Sequence, residues 1–264
     1  MLSLALAALL LASPEGRYAD VDDVRLYYEV TGHGPPVLAL HGGGGSSKSL
    51  APVIAALSAR YTVIAPDARA HGRSTDSAKP LTYSRLTEDM VELLDKLKVG
   101  PVIVVGWSDG GIVGLELAVH HPERVTKLVA FGANARLEGL TDAARAWVQT
   151  ATAVTLAKSR ETYEQLAPDP KHWPVFAEKL TALWRTQVPI SEAELARIKA
   201  PTLIAVGDRD MVRLEHAVEL YRTIPGAQLF VAPGSTHYVL RERPAHANQV
   251  VLDFLAGSAD AGTP

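Results

Sequence analysis

The chain has 264 residues, 47% of them hydrophobic, which is enough for one α/β core or two small ones. With 26 basic against 29 acidic residues the net charge is −3, so no basic field is available to hold a nucleic acid. The absence of cysteine removes disulfides and thiolate metal sites, and the nine histidines show no H-E-x-x-H spacing, so neither a metal nor a cofactor is expected.

Residues 1–13 are apolar on every side and too short to span a bilayer as a helix, so no stable membrane insertion is expected. They resemble the apolar core and small-residue end of a secretory signal that lacks its basic start. The other reading is a buried or amphipathic terminal helix. Residues 1–15 are therefore set apart as a signal remnant or a disordered terminus. The first reading would export the protein, into the periplasm for example; without a signal it would be cytoplasmic.

From Gly16 the pattern is regular. Residues 18–21 and 24–30 read as two strands joined by Asp22-Asp23. Residues 37–40 form a short apolar run suited to a central parallel strand, and it feeds the Gly-rich stretch His41-Gly42-Gly43-Gly44-Gly45. A helical period follows over 50–57, a strand over 61–65, and a polar loop from Asp67 to Ser74. Residues 83–97 predict an amphipathic helix with Leu86, Met90, Leu93, Leu94 and Leu97 on one face. Residues 102–105 and 125–131 read as buried strands flanking a helix that ends at His121-Pro122. Strand and helix alternate at crossover length, which argues a doubly wound, mainly parallel sheet with an antiparallel pair at one edge.

The alternation stops near Asn134. Residues 136–198 show helical periods over 141–156, 160–166, 174–187 and 191–198, punctuated by prolines. They read as a helical cap inserted after the sixth strand. The core thus has two parts, 16–135 and 199–256. Its second part predicts strands over 202–206 and 228–231, helices over 212–221 and 244–255, and a disordered tail from residue 257 to 264.

The chain is organised around Gly106-Trp107-Ser108-Asp109-Gly110-Gly111. A strand precedes this G-x-S-x-G and a helix follows it, the context in which a serine hydroxyl is presented at the top of a sheet. A serine nucleophile needs a base, and the base needs an orienting acid. Gly207-Asp208-Arg209-Asp210 and Gly234-Ser235-Thr236-His237 each follow a buried strand, and so lie on the same sheet edge as Ser108. His237 is the expected base and Asp210 the expected acid, with Asp208 as its rival. The backbone N–H groups of Gly43 and Asp109 are the expected oxyanion donors. His41 and His71 are expected to be structural loop histidines. The stretch 41–45 lacks a following Gly-Lys-Ser/Thr, which argues against a phosphate cradle.

With these residues the chain resembles the α/β-hydrolase fold superfamily. The likeness covers roughly residues 16–255 and rests on His41-Gly42, the loop from Asp67 to Ser74, the elbow, Gly207-Asp208-Arg209-Asp210 and His237. It is more closely similar to the biphenyl hydrolase-like branch, which includes valacyclovir hydrolase, through Gly-Trp-Ser-Asp-Gly-Gly and Gly132-Ala133-Asn134-Ala135. That branch implies that the Asp109 carboxylate helps hold the ammonium of α-amino acid esters. Trp107 is also expected in the substrate site. The cap does not match that branch. Serine in place of the elbow aspartate of haloalkane dehalogenases and epoxide hydrolases implies acyl chemistry. The expectation is a serine carboxylesterase acting on small or medium acyl substrates. Alternatives on the same triad are an α-amino acid ester hydrolase, a lactonase, a C–C bond hydrolase or a perhydrolase. The non-enzyme alternative is a ligand receptor on the same fold.

Overall fold

The computed structural model describes residues 16–257; the apolar residues 1–13 and the tail beyond Gly257 lie outside it. Eight strands form one sheet: β1 (Arg17–Val21), β2 (Val24–Thr31), β3 (Pro36–Leu40), β4 (Thr62–Pro66), β5 (Val102–Trp107), β6 (Val125–Phe131), β7 (Thr202–Gly207) and β8 (Gln228–Ala232). Their order is β1-β2-β4-β3-β5-β6-β7-β8. β1 pairs antiparallel with β2, and β2 with β4; every later pairing is parallel. This is the doubly wound, mainly parallel sheet expected from the alternation, with the strand order of the α/β-hydrolase fold that the resemblance implies.

The central strands are apolar on both faces because helices cover both. Leu38, Val104 and Leu128 point into one apolar cluster with α2 (Tyr83–Lys96) and α3 (Asp109–His120). Val37, Ile103, Val105 and Val129 point into the other, with α1 (Ala51–Leu57) and the closing helix. The two-residue period of a strand sorts neighbouring side chains to opposite faces. α2 starts where the Thr82 hydroxyl accepts from the N–H of Arg85 at 3.1 Å, and it buries Leu86, Met90, Leu93 and Leu94.

Between β6 and β7 the described chain holds only helices: α4 (Asp142–Thr150), α5 (Ala157–Leu166), α6 (Trp173–Arg185) and α7 (Glu192–Leu195). The expected helix over 141–156 is a shorter one. It breaks after Thr150 because Ala151 turns extended and its carbonyl is taken by the Arg185 guanidinium. Thr155 then caps the N–H of Thr152 at 2.9 Å, which holds a turn before α5 opens. α7 is likewise shorter than expected, though Ser191 and Glu194 form a reciprocal capping box at its start.

After β7 the helix expected over 212–221 begins later, as α8 (Leu214–Thr223). Val212 is drawn out of it by a β-bridge to Leu140 and by donating its N–H to Asp210 at 3.1 Å. The chain closes with α9 (Val239–Glu242), a short helix without a sequence signal, and α10 (Pro244–Ala256).

Candidate active site

The elbow is a backbone constraint before it is a chemical one. Ser108, between β5 and α3, has φ 57° and ψ −123°, a left-sided conformation that side chains adopt only when the surroundings impose it. Its N–H donates to Phe131 O at 2.8 Å. A Cβ at Gly106 would lie 2.2 Å from Gly110 O, and one at Gly110 would lie 2.2 Å from Leu40 O. β5, α3 and the end of β3 therefore approach closely only because both positions are glycine.

The carboxyl ends of β5, β7 and β8 bring three residues together. His237 Nε2 lies 2.9 Å from Ser108 Oγ, and His237 Nδ1 lies 2.7 Å from Asp210 Oδ1. Asp210 is further fixed by the N–H groups of Val212 and Gly207, at 3.1 Å and 3.3 Å. Its side chain is 1% exposed and that of His237 12%, so the acid is sealed while the imidazole still meets the cavity. The rival Asp208 is occupied elsewhere: it accepts from the N–H groups of Gly234 and Ser235 at 2.9 Å and 3.0 Å, bonds that hold its carboxyl below the usual range. It shapes the loop that carries His237. Gly132, at φ 56°, lies beneath the imidazole, where a Cβ would be 2.8 Å from the ring. Sequence reasoning gave Gly132 no role of this kind, although a glycine directly after a strand is a signal for close approach.

Gly43 and Asp109 line the same cavity as Ser108, and neither N–H has a hydrogen-bond partner among the described residues. Such a pair can receive a developing oxyanion. The Gly-rich loop is tied down by His41, whose Nδ1 donates to Gly42 O at 2.8 Å while its Nε2 accepts from Ala68 N–H at 3.0 Å. Burial lowers the pKa of His41, and it pushes His71 down to about 3, so both are neutral struts.

The Asp109 carboxylate is buried and faces the cavity. It accepts from Tyr83 Oη at 3.0 Å and from Trp184 Nε1 at 2.9 Å, and no cationic side chain is paired with it among the described residues. Burial raises its pKa against the pull of those two bonds. Tyr83 and Trp184 were not foreseen; they come from α2 and α6, and no local pattern links them to residue 109. Trp107 also lines the cavity, but its Nε1 donates to His237 O at 2.8 Å, so it supports the histidine as well as offering a wall.

The alpha/beta hydrolase family model matches residues 37–247. The chain belongs to that family. This hydrolase is 31% identical over 262 residues to RutD of Azorhizobium caulinodans, provisionally named a carbamate hydrolase, with 90% of this chain and 97% of the relative covered. It is 30% identical over 250 residues to the serine hydrolase BPHL of Mus musculus, covering 89% of this chain and 84% of the relative. Among solved structures it is similar to the enol-lactonase from Burkholderia xenovorans, with a TM-score of 0.74, 25% identity, and 91% and 100% of the two chains covered.

The cavity of this hydrolase holds about 380 Å³. The segment between β6 and β7 supplies Leu137, Trp147, Leu156 and Trp184, and the chain after β7 supplies Met211 and Tyr238. Trp147 packs on Trp184 at 5.5 Å, and Trp107 on Tyr238 at 5.5 Å, so aromatic pairs flank the serine. Among the described residues no group of three or more acidic or histidine side chains is placed to hold a metal, and no helix is long and apolar enough to cross a membrane.

Proposed function

We propose that this hydrolase is a serine carboxylesterase acting through an acyl-enzyme, with Ser108 as nucleophile, His237 as base and Asp210 as orienting acid. The observation that carries the reading is the unbroken chain of hydrogen bonds from Asp210 through His237 to Ser108, opening into a largely apolar cavity. Ser108 Oγ attacks the ester carbonyl as its proton passes to His237 Nε2. Asp210 holds the proton on Nδ1 and stabilises the imidazolium. The N–H groups of Gly43 and Asp109 receive the oxyanion. His237 then protonates the departing alkoxide, and water, activated by the same imidazole, releases the acid and restores the serine.

Segment 136–198 acts as the cap that closes the cavity. Its volume suits small or medium acyl groups and their alcohols, within the range of small-molecule sites. The names of the relatives, a serine hydrolase among them, agree with acyl chemistry without naming one substrate.

A second reading makes the substrate an α-amino acid ester. It is favoured by one feature, the buried Asp109 carboxylate that faces the cavity with two neutral donors and no cation. A panel of p-nitrophenyl esters, lactones and amino acid esters tests both readings. Turnover should be found on esters and fall on the order of 10⁴-fold or more in Ser108→Ala, with the fold intact. Turnover that survives the substitution, or is confined to lactones, rejects the carboxylesterase.

A further inference from the structure

The cap touches the elbow at one polar point. α6 is held to the core at its first turns, where His172 Nε2 and Lys179 Nζ reach Asp76 Oδ2 at 2.8 Å and 2.7 Å. Its buried face, Phe176, Leu180 and Leu183, fixes its rotation. Near its end Trp184 reaches down and donates its indole N–H to Asp109 Oδ2 at 2.9 Å. Asp109 is the residue directly after Ser108, and its own N–H is the proposed oxyanion donor. The same indole covers the other donor's residue: a Cβ at Gly43 would lie 2.9 Å from Trp184 Cζ2 and 2.2 Å from Asp109 Oδ2. Tyr83 holds the second carboxylate oxygen from the core side.

We propose that Trp184 is a positioning residue, by which the closed cap seats the elbow and the oxyanion loop against each other. The proposal rests on the serine-hydrolase reading above. One side chain from the cap fixes both residues that supply the oxyanion donors, so a cap displaced from the core leaves Ser108 and His237 in place but loosens the donors. A misplacement of about 1 Å in such a constellation costs up to about a hundredfold in rate. The competing role is that of a wall, because Trp184 also lines the cavity and packs on Trp147. A wall sets which acyl groups fit, so its loss changes KM and depends on acyl length.

Trp184→Phe keeps a ring and removes the N–H. Two quantities separate the roles: kcat and KM for p-nitrophenyl acetate and hexanoate, and the rate at which a fluorophosphonate labels Ser108. The positioning role predicts that kcat falls about tenfold to a hundredfold on both esters, with KM within about twofold and labelling slowed to match. The double variant with Asp109→Ala, which removes the acceptor, should be no slower than the slower single one, because both break the same bond. An unchanged kcat, a loss confined to KM, or a loss that follows acyl length overturns the proposal. Should Trp184→Phe not fold, by circular dichroism, Asp109→Ala removes the acceptor of the same bond from the core side, and labelling at the wild-type rate then overturns it. Labelling needs no ester turnover. A wild-type protein that is labelled but hydrolyses no ester defeats the carboxylesterase reading and leaves the proposal to be judged on labelling; a wild-type Ser108 that is not labelled defeats both.

Discussion

Two aspartates a residue apart, Asp208 and Asp210, have different work. Asp210 reaches His237 from a sealed position, whereas Asp208 spends both oxygens on the backbone of the loop before it. Asp210→Asn should lower kcat on the order of 10⁴-fold, since an amide at this position favours the wrong imidazole tautomer. Asp208→Asn loses charge-assisted loop bonds, so it should lower melting temperature and leave kcat within roughly tenfold. Steady-state kinetics on purified variants checks the order; a larger kcat loss for Asp208→Asn would reverse the assignment. Asp109 calls for a matched pair of substrates. If its carboxylate binds a substrate ammonium, Asp109→Asn should cut kcat/KM about tenfold to a hundredfold more for an α-amino acid ester than for the same ester without the amino group. Equal losses on the two would confine Asp109 to the oxyanion geometry.

At the scale of elements, the loop from Asp67 to Ser74 locks the Gly-rich loop, α2 and α6 together. Arg69 is 1% exposed and forms a two-pronged pair with Asp89 of α2, at 2.6 Å and 2.5 Å. Asp67 accepts from Ser47 N–H at 2.8 Å and from Arg73 Nε at 2.7 Å. His71 donates to Arg69 O at 2.8 Å and meets Phe176 of α6 edge-on at 4.8 Å. Burial pushes His71 down to about 3 from 6.5. Between those values the unfolded chain binds a proton that the folded chain refuses, so the stability from a neutral His71 is complete above about pH 6.5 and is lost as pH falls toward 3. The full span corresponds to about 5 kcal/mol. His71→Asn keeps a donor for Arg69 O but does not titrate. Its melting temperature should start lower near pH 7 and fall less steeply toward pH 4 than that of the wild type. A parallel decline would show that His71 does not carry this dependence; His41 and His216, also lowered by burial, would remain to supply it.

Across the whole molecule, what could be read in advance was whatever the chain writes locally. The strands were legible because a parallel strand covered on both faces must be an apolar run, as in β5 and β7. The convergence of Ser108, Asp210 and His237 was legible because each follows a parallel strand and parallel strands end on one edge, although β8, before His237, is a half-buried edge strand and not the buried one expected. The end of α4 was not, because it is decided by an arginine from α6 taking a carbonyl. The Tyr83 and Trp184 bonds to Asp109 escaped for the same reason: their partners are distant in sequence, and only packing brings them into range.

The order of these parts along the chain has a consequence for the protein's synthesis. Ser108 follows the fifth strand, Asp210 the seventh, and His237 the eighth, with the cap helices made in between. Chains fold from the N-terminal end as they are made. On the proposed assignment the growing polypeptide displays its serine long before it owns a base, and that hydroxyl is no better a nucleophile than any other until β8 pairs with β7. Under the proposed mechanism, a chain arrested or broken anywhere short of the last strand is silent toward acyl compounds. Reactivity then arrives only when the sheet is complete and the helices between β6 and β7 already roof the pocket.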